Sequence, residues 1–442
     1  MCCGTWQPCA PTAWSPRTSR TGTTSSTASW TTRRKDGDDM ATRVNPRLLS
    51  EIKRYGAFDI SACFNCGNCT AVCPLSKDND AFPRRMIRYA QLGLDEHLIS
   101  NKELWLCQHC GDCSETCPRQ AGPAEFMAAS RRYAISQFDP SGLARSLHLS
   151  TVRSLAIMGI LGVVFAGLLL WKSAGVPTDP ATQFSTATML DFVPFHVLHD
   201  VGIAVFVLLA VVALLTLGNM LWMLAHAPVP GGVGQPDGTP RRFPLSAAFR
   251  ALWLTLSEVL LHRRQRDYDN EQTRPALLPV RRWFLHLCIL AGFGGLAAAT
   301  TLDYLLKDPD LHVMPWSPIR LLGILSGLVF TYGTSVVIIK RLFAKRQPGP
   351  KATASQRYYA HTVKSDWLFL WLLWLVSVTG FVLTAAIYLP VGATWLYGVF
   401  LVHVVLAMEL LILMPFTKFA HVIYRPVAIW YQHFRRLRAP SN

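Results

Sequence analysis

Hydrophobic and polar positions divide the 442 residues into three zones. Residues 1–39 contain no Val, Ile, Leu, Phe or Tyr and are crowded with Thr and Ser, so they cannot bury a core and are expected to be disordered. They hold no apolar h-region and are not a secretory signal peptide. Met40 then opens an amphipathic stretch (Val44, Leu48, Leu49, Ile52), which places the expected native start at Met40 and makes 1–39 a start-site artefact. Residues 40 to about 147 have soluble character. Within them Phe82, Met86, Ile87, Tyr89 and Leu92 recur at helical spacing, and strand signals are scarce. From residue 153 onward come six apolar stretches, near 153–173, 192–225, 283–306, 318–341, 366–389 and 394–416, each close to the ~20 residues that a spanning helix needs.

The connections orient these spans. The segment 226–282 holds nine Arg, 340–365 holds seven Lys and Arg, and the tail after Met414 holds five. The segments 172–191 and 303–318 each hold one Lys beside Asp residues. Under the positive-inside rule the basic connections, both termini and the 40–147 zone are cytoplasmic. Within 244–262, Leu245, Phe249, Leu252, Trp253 and Leu256 share a helical face, but Arg250 and Glu258 interrupt the run. This predicts a helix lying at the membrane surface and no seventh span.

Composition agrees with a membrane chain: 51% of residues are hydrophobic and 16% are charged, against roughly 25% charged in soluble proteins. The net charge of +16 could suggest nucleic acid. Its basic residues, however, flank apolar runs and the leader, and they form no basic stripe on a polar domain.

Eight of the twelve cysteines fall in two runs, Cys63-x2-Cys66-x2-Cys69-x3-Cys73-Pro74 and Cys107-x2-Cys110-x2-Cys113-x3-Cys117-Pro118. This is the spacing of bacterial two-cluster ferredoxins, in which the fourth cysteine of each run ligates the other cluster. It assigns Cys63, Cys66, Cys69 and Cys117 to one 4Fe-4S cluster, and Cys107, Cys110, Cys113 and Cys73 to a second. Zinc would leave the third and fourth members of each run without use. With every ligand position filled, His109 is expected either to be exposed or to hydrogen-bond cluster sulfur. Cys288 reads as a small apolar residue. Cys2, Cys3 and Cys9 lack a fourth partner for a metal-binding tail.

Histidines inside spanning helices are costly and mark function. His403 lies in the sixth span and His421 lies eighteen residues on, about five turns and 27 Å along one helix, on one face apart from any kink at Pro415. That separation suits two stacked b haems. His286 enters the third span at the depth of His421 and completes an inner pair. His199 in the second span matches the depth of His403 as an outer pair, with His196 one turn away as its substitute. Each histidine taken alone could instead be a hydrogen bond between helices. Glu409 sits mid-span about 240° from the His403 face. It either protonates a quinone or is a buried acid bonded to a neighbouring helix. His97, His148, His312 and His433 read as loop or interface residues.

The cysteine runs resemble the C subunits of heterodisulfide reductases, whose fold is an α-helical ferredoxin. The stretches beginning at Arg282 (RWFLHLCILAGFGG) and Leu401 (LVHVVLAMELLILMPFTKFAHVIYR) resemble the nitrate reductase gamma cytochrome b family. A chain that fuses the two resembles the family of C subunits of quinone-interacting membrane-bound oxidoreductase complexes, over essentially everything from Met40. The resemblance carries the paired haem histidines of the last helix onto His403 and His421, and the first haem histidine onto His286. Another haem histidine of the nitrate reductase pattern falls at Leu296, so either a different helix supplies that ligand or the chain holds one haem.

The expected architecture is therefore all-α: an α-helical dicluster ferredoxin domain (40–147) followed by a six-helix transmembrane cytochrome b bundle (148–442) in the cytoplasmic membrane. The resemblance implies quinone as substrate, two flavin-containing, heterodisulfide-reductase-A-like subunits, and adenylylsulfate reductase in dissimilatory sulfur metabolism. The alternatives are a wire serving heterodisulfide or sulfite chemistry and, in another class, a redox-sensing transporter. The transporter would show broken helices and internal repeats.

Overall fold

The computed structural model describes residues 44–78, 81–173, 175–176, 184–225, 245–266, 277–306, 316–345, 359–389 and 394–438. Every regular element among them is helical, as expected. The readings made for residues 1–39, Met40 and His312 lie outside the described residues.

The cysteine-bearing region folds around the helix Pro123–Phe138, against which Leu48–Arg54 and Asp95–Ile99 pack, with Arg84–Gln91 lying on these two. Leu48, Ile52, Met86, Ile87, Leu98, Phe126 and Met127 are fully buried, and Leu92 is exposed. Gly122 starts the long helix at φ +64°, where a Cβ would also strike the Phe58 ring. Pro123 follows at the first helical position, which needs no N–H donor. At the far end the Asp139 carboxylate accepts the N–H groups of Ser141 and Ala144 and turns the chain into the helix Leu143–Leu149. The hydroxyl of Ser150 then caps the first span by accepting from the Arg153 N–H at 3.3 Å.

Six helices are long and apolar enough to cross a membrane: Thr151–Trp171, Phe195–Leu224, Arg282–Leu306, Pro318–Ala344, Lys364–Tyr388 and Trp395–Ile412. The thirty residues of the second are about 45 Å long, against about 30 Å of hydrocarbon. Its last turns pack on the cysteine-bearing region, with Met220 and Leu224 in the same core as Trp105 and Phe138, and with the Asn219 side chain donating to the Phe138 carbonyl. The third and fourth spans approach closely because small residues line the seam. A Cβ on Gly292 would lie 2.6 Å from the Phe330 Cβ and 2.7 Å from its backbone nitrogen.

The sixth span ends sooner than the hydropathy indicates. After Ile412 come two tight turns, Met414–Phe416 and Lys418–Ala420, separated by Thr417 in extended conformation (φ −108°, ψ −175°). A new helix, His421–Arg438, then begins. This corrects the expectation that one continuous, at most kinked, helix carries both His403 and His421. Pro415 has no N–H to give, and the Thr417 hydroxyl caps a fresh start by accepting from the Phe419 N–H. The helix Leu245–Leu260 lies against this last helix, with the Trp430 indole donating to the Ala248 carbonyl and Glu258 bonded to His433 and Arg264. Its expected apolar face is open: Leu245, Phe249 and Trp253 are each at least 67% exposed, as an interfacial helix requires.

Polar contacts also tie the cysteine-bearing region to the spans. Arg132, in Pro123–Phe138, donates to the buried Asp366 carboxylate of the fifth span at 2.8 Å, and Lys418 reaches the same oxygen at 3.0 Å. The His361 ring donates to the Gly56 carbonyl at 2.7 Å. Trp105 and Phe138 close over Tyr424 of the last helix, with ring centroids 4.9 and 5.3 Å away.

Candidate functional site

The two cysteine runs fold as copies of one loop. Asn65 and His109, both third in a Cys-x-x-Cys, have φ +60° and +54°, and the following Gly67 and Gly111 have φ +93° and +104°. Each glycine opens a single helical turn, Asn68–Ala71 or Asp112–Glu115, that carries the third cysteine inward. Glycine suits this position, because an L side chain at such φ is strained.

Cys63, Cys66 and Cys117 are the thiols whose charges act on Cys69, and Cys73 lies beside Cys107. A cavity is lined by Cys73, Cys107, Cys110 and Cys113, all four cysteines of the second set. Among the described residues no three Cys, His, Asp or Glu side chains converge as they would on a single ion. Burial pushes the Cys73 and Cys110 thiols up to about 12 and the Cys113 thiol well above its ordinary range, so positive iron is what such thiolates need. Backbone N–H groups of His109 and Ala121 point at the sulfurs of Cys107 and Cys117, each at 3.4 Å. His109 is half-buried, and the group that meets sulfur is its amide.

The second loop is held from the membrane side. Arg282, at the head of the third span, donates to the carbonyls of His109 (2.9 Å) and Cys110 (3.1 Å), and Arg131 donates to that of Cys107 (2.9 Å). One turn further along the third span stands His286, with its ring centroid 5.9 Å from that of His421. Each of these two histidines has its Nδ1 engaged, His286 with the Nε2 of His262 at 2.6 Å and His421 with the Lys418 carbonyl at 2.7 Å. That leaves Nε2 of both as the nitrogen for a metal, the arrangement in which an outer partner fixes a ligating imidazole. The donor set fits a bis-histidine haem. His262 is a residue that sequence reasoning missed. It follows the interfacial helix at φ +50° with no periodic pattern to mark it.

The other candidates face elsewhere. His403 bonds the Thr379 hydroxyl at 2.9 Å and lies over Gly380, where a Cβ would come within 3.1 Å of its ring. Thr379 spends its own proton on the Leu375 carbonyl, so it accepts from His403 Nδ1. His199 stacks on Tyr304 of the third span at 4.1 Å, and His196 is exposed. His403 and His199 are therefore turned to different spans, the fifth and the third. Glu409 is buried, with its carboxylate against Gly162 of the first span. His148 departs from the reading of an ordinary interface residue: both ring nitrogens are buried without a hydrogen-bond partner.

The 4Fe-4S dicluster domain family matches residues 59–121. Over 151 residues the chain is 31% identical to a protein of Archaeoglobus profundus that is itself like the C subunit of heterodisulfide reductase, covering 34% of this chain and 78% of that protein. The C subunit of the H(2):CoB-CoM heterodisulfide,ferredoxin reductase of Methanothermobacter thermautotrophicus is 33% identical over 63 residues, 14% of this chain and 34% of that one. The E subunit of the dihydromethanophenazine:CoB--CoM heterodisulfide reductase of Methanosarcina mazei is 26% identical over 165 residues, 34% of this chain and 58% of that one. The chain therefore spans about a third and somewhat over half of the lengths of these last two relatives. No solved structure matches. With paired cysteine loops, a matching dicluster domain and most of the Archaeoglobus protein covered, the chain belongs to the family of iron–sulfur proteins that are like the heterodisulfide reductase C subunit, here joined to a six-span membrane bundle.

Proposed function

We propose that this chain carries electrons between a membrane quinone and a soluble flavoprotein. Its carriers are a b haem held by His286 and His421 and two 4Fe-4S clusters held by Cys63, Cys66, Cys69, Cys117 and by Cys73, Cys107, Cys110, Cys113. The observation that carries this reading is the position of Arg282, which grips the loop of the second cysteine set one helical turn from His286. Bound there, haem and clusters supply one-electron carriers in a row. The protein fixes their order. Arg282 and Arg131 hold the second loop against the bundle, while Cys66 of the first set is exposed and faces outward for a partner.

His262 and the Lys418 carbonyl engage the Nδ1 atoms of His286 and His421, which leaves Nε2 of each as the ligand nitrogen. His403 is oriented in the same manner by Thr379. A second, outer haem would use His403, with His199 as its partner only after a change of rotamer away from Tyr304. Glu409 is assigned the protonation of a quinone. The iron–sulfur region faces the cytoplasm, consistent with the basic connections. The partners are two heterodisulfide-reductase-A-like flavoproteins and, beyond them, adenylylsulfate reductase in sulfur metabolism. A wire to heterodisulfide chemistry is the second reading, favoured by the names of the relatives.

The test is a reduced-minus-oxidised spectrum of the purified protein with haem quantified per chain. A b-type α band that His421→Ala abolishes, with both cluster signals intact in electron paramagnetic resonance (EPR), is expected. No α band in the unaltered protein would remove the haem from this account. Co-purifying subunits separate the sulfur from the heterodisulfide assignment.

A further inference from the structure

The two cysteine loops share a backbone but differ in what they show to solvent. Three positions that are apolar in the first run, Phe64, Ala71 and Val72, are polar in the second, where Gln108, Glu115 and Thr116 stand. All three apolar residues are exposed, Phe64 at 61%, on the loop that carries the exposed thiol of Cys66. Glu115 and Thr116 are exposed too, so nothing in the turn itself asks for apolar side chains. A lone exposed apolar residue needs no explanation, but a set of them on a loop whose copy is polar marks a contact surface. The first loop is held from within the cysteine-bearing region. Gln91 donates to the Cys63 carbonyl at 2.8 Å and accepts from the Asn65 side chain at 3.0 Å. Arg84, Arg88 and Gln91 follow one another at i, i+4 and i+7, so they share a face of the helix Arg84–Gln91. The Arg84 guanidinium stands 3.4 Å from where a Gly67 Cβ would be, so this face, with Arg88 exposed in its middle, borders the loop. Arg119, also exposed, reaches the Ala62 carbonyl just ahead of Cys63.

We propose that Phe64, Ala71 and Val72, bordered by Arg84, Arg88 and Arg119, are the docking surface for the soluble flavoprotein, which meets them with an apolar patch inside an acidic rim. The inference rests on the electron-carrier reading above and gives its partner a place and a charge. An apolar centre excludes water, while rim charges steer the encounter and fix its register. Redox contacts lie at the small end of interfaces, under about 1,200 Å2 in total, so one aromatic anchor and a few charges match the scale. Cys66 opens on the same loop, so a partner seated here lies next to the first ligand set. A second copy of this chain would set the same guanidiniums against themselves, because a two-fold contact pairs a patch with its own kind. The membrane is also apolar and anionic at its surface, but the loop that the third span grips, through Arg282, is the second one.

The test places the photocrosslinker p-benzoylphenylalanine at position 64, 72 or 116 of the full-length protein in its own membranes. Adducts are identified by mass spectrometry, with flavin measured in the recovered complex. Adducts from 64 and 72 to a flavin-containing subunit that co-purifies with the chain are expected, and few from 116. A flavoprotein adduct as strong from 116 as from 64 overturns this surface and leaves the electron-carrier reading standing. Adducts from 64 to lipid or to a second copy of the chain overturn it as well. If no flavoprotein is labelled from any position or co-purifies, the surface and the reading fall together. With the purified flavoprotein in hand, Phe64→Ser and Arg88→Glu are each expected to raise its Kd by roughly tenfold, with both cluster signals as in the unaltered protein. The Kd of the unaltered pair should also rise with salt, which needs no variant to fold. Unchanged affinity in both variants, or affinity indifferent to salt, overturns the proposal.

Discussion

The Nδ1 of His286 lies 2.6 Å from the Nε2 of His262, so a histidine from a surface-lying segment orients one inside a span. Removing the outer partner of a metal-bound histidine typically costs 10–100-fold in affinity. His262→Ala is expected to lower haem retention by about that factor and to shift the α band, with cluster signals unchanged. Haem per chain after repeated washing is the measurement. Full retention would show that His286 needs no such support.

Arg282→Ala removes two charged hydrogen bonds from the second cysteine loop. At about 1.5–3 kcal/mol for a hydrogen bond to a charged group, the loop should open markedly more often. The second cluster is then expected to bleach faster under an iron chelator than the first. Equal bleaching of both would mean that the arginine does not hold the loop.

Arg132 and Asp366 join residues 234 positions apart in a buried ion pair that Lys418 completes. Breaking such a pair from one side costs about 3–5 kcal/mol, because a buried charge is stranded. Arg132→Ala should therefore lower thermal stability and speed proteolysis in the connection before the first span. Paired replacement by apolar residues of similar volume should restore most of the loss. If single and double variants melt alike, the pair carries no coupling.

Glu258 ties the interfacial helix to the last helix through His433 and Arg264. Burial alone would raise its pKa, but the hydrogen bond to His433 and the charges of Arg264 and Arg425 hold it below the ordinary 4.5. A depressed carboxylate contributes stability that is fully present above its unfolded value and is lost as pH falls through the folded one. Docking should thus be constant from neutral pH to about 5 and weaken below about 4.5. Trp430, bonded to the Ala248 carbonyl, reports this by fluorescence. Glu258→Gln should flatten the profile.

Much of this was legible in the residue pattern. The paired cysteine runs sit at fixed short spacings, so a dicluster domain could be read directly, and spans follow from hydropathy to within a few residues. The pairing of His286 with His421 was also suggested by their matching depth, although only His286 lies in a span. The break at Thr417 was not, because Pro415 suggested only a kink and nothing local shows that the next helix turns to lie on Leu245–Leu260. His262 and His148 sit outside the spanning segments, and no periodic signal separates them from ordinary histidines. The Arg132–Asp366 pair exists only once distant helices meet.

The grip of Arg282 on the His109 and Cys110 carbonyls engages backbone, so it does not depend on which side chains the loop carries. The distance from the loop to His286 is then inherited from helix pitch, about 6 Å of rise over four residues, whatever the lipid thickness or loop sequence. A ferredoxin module can dock on such a span with little mutual adaptation.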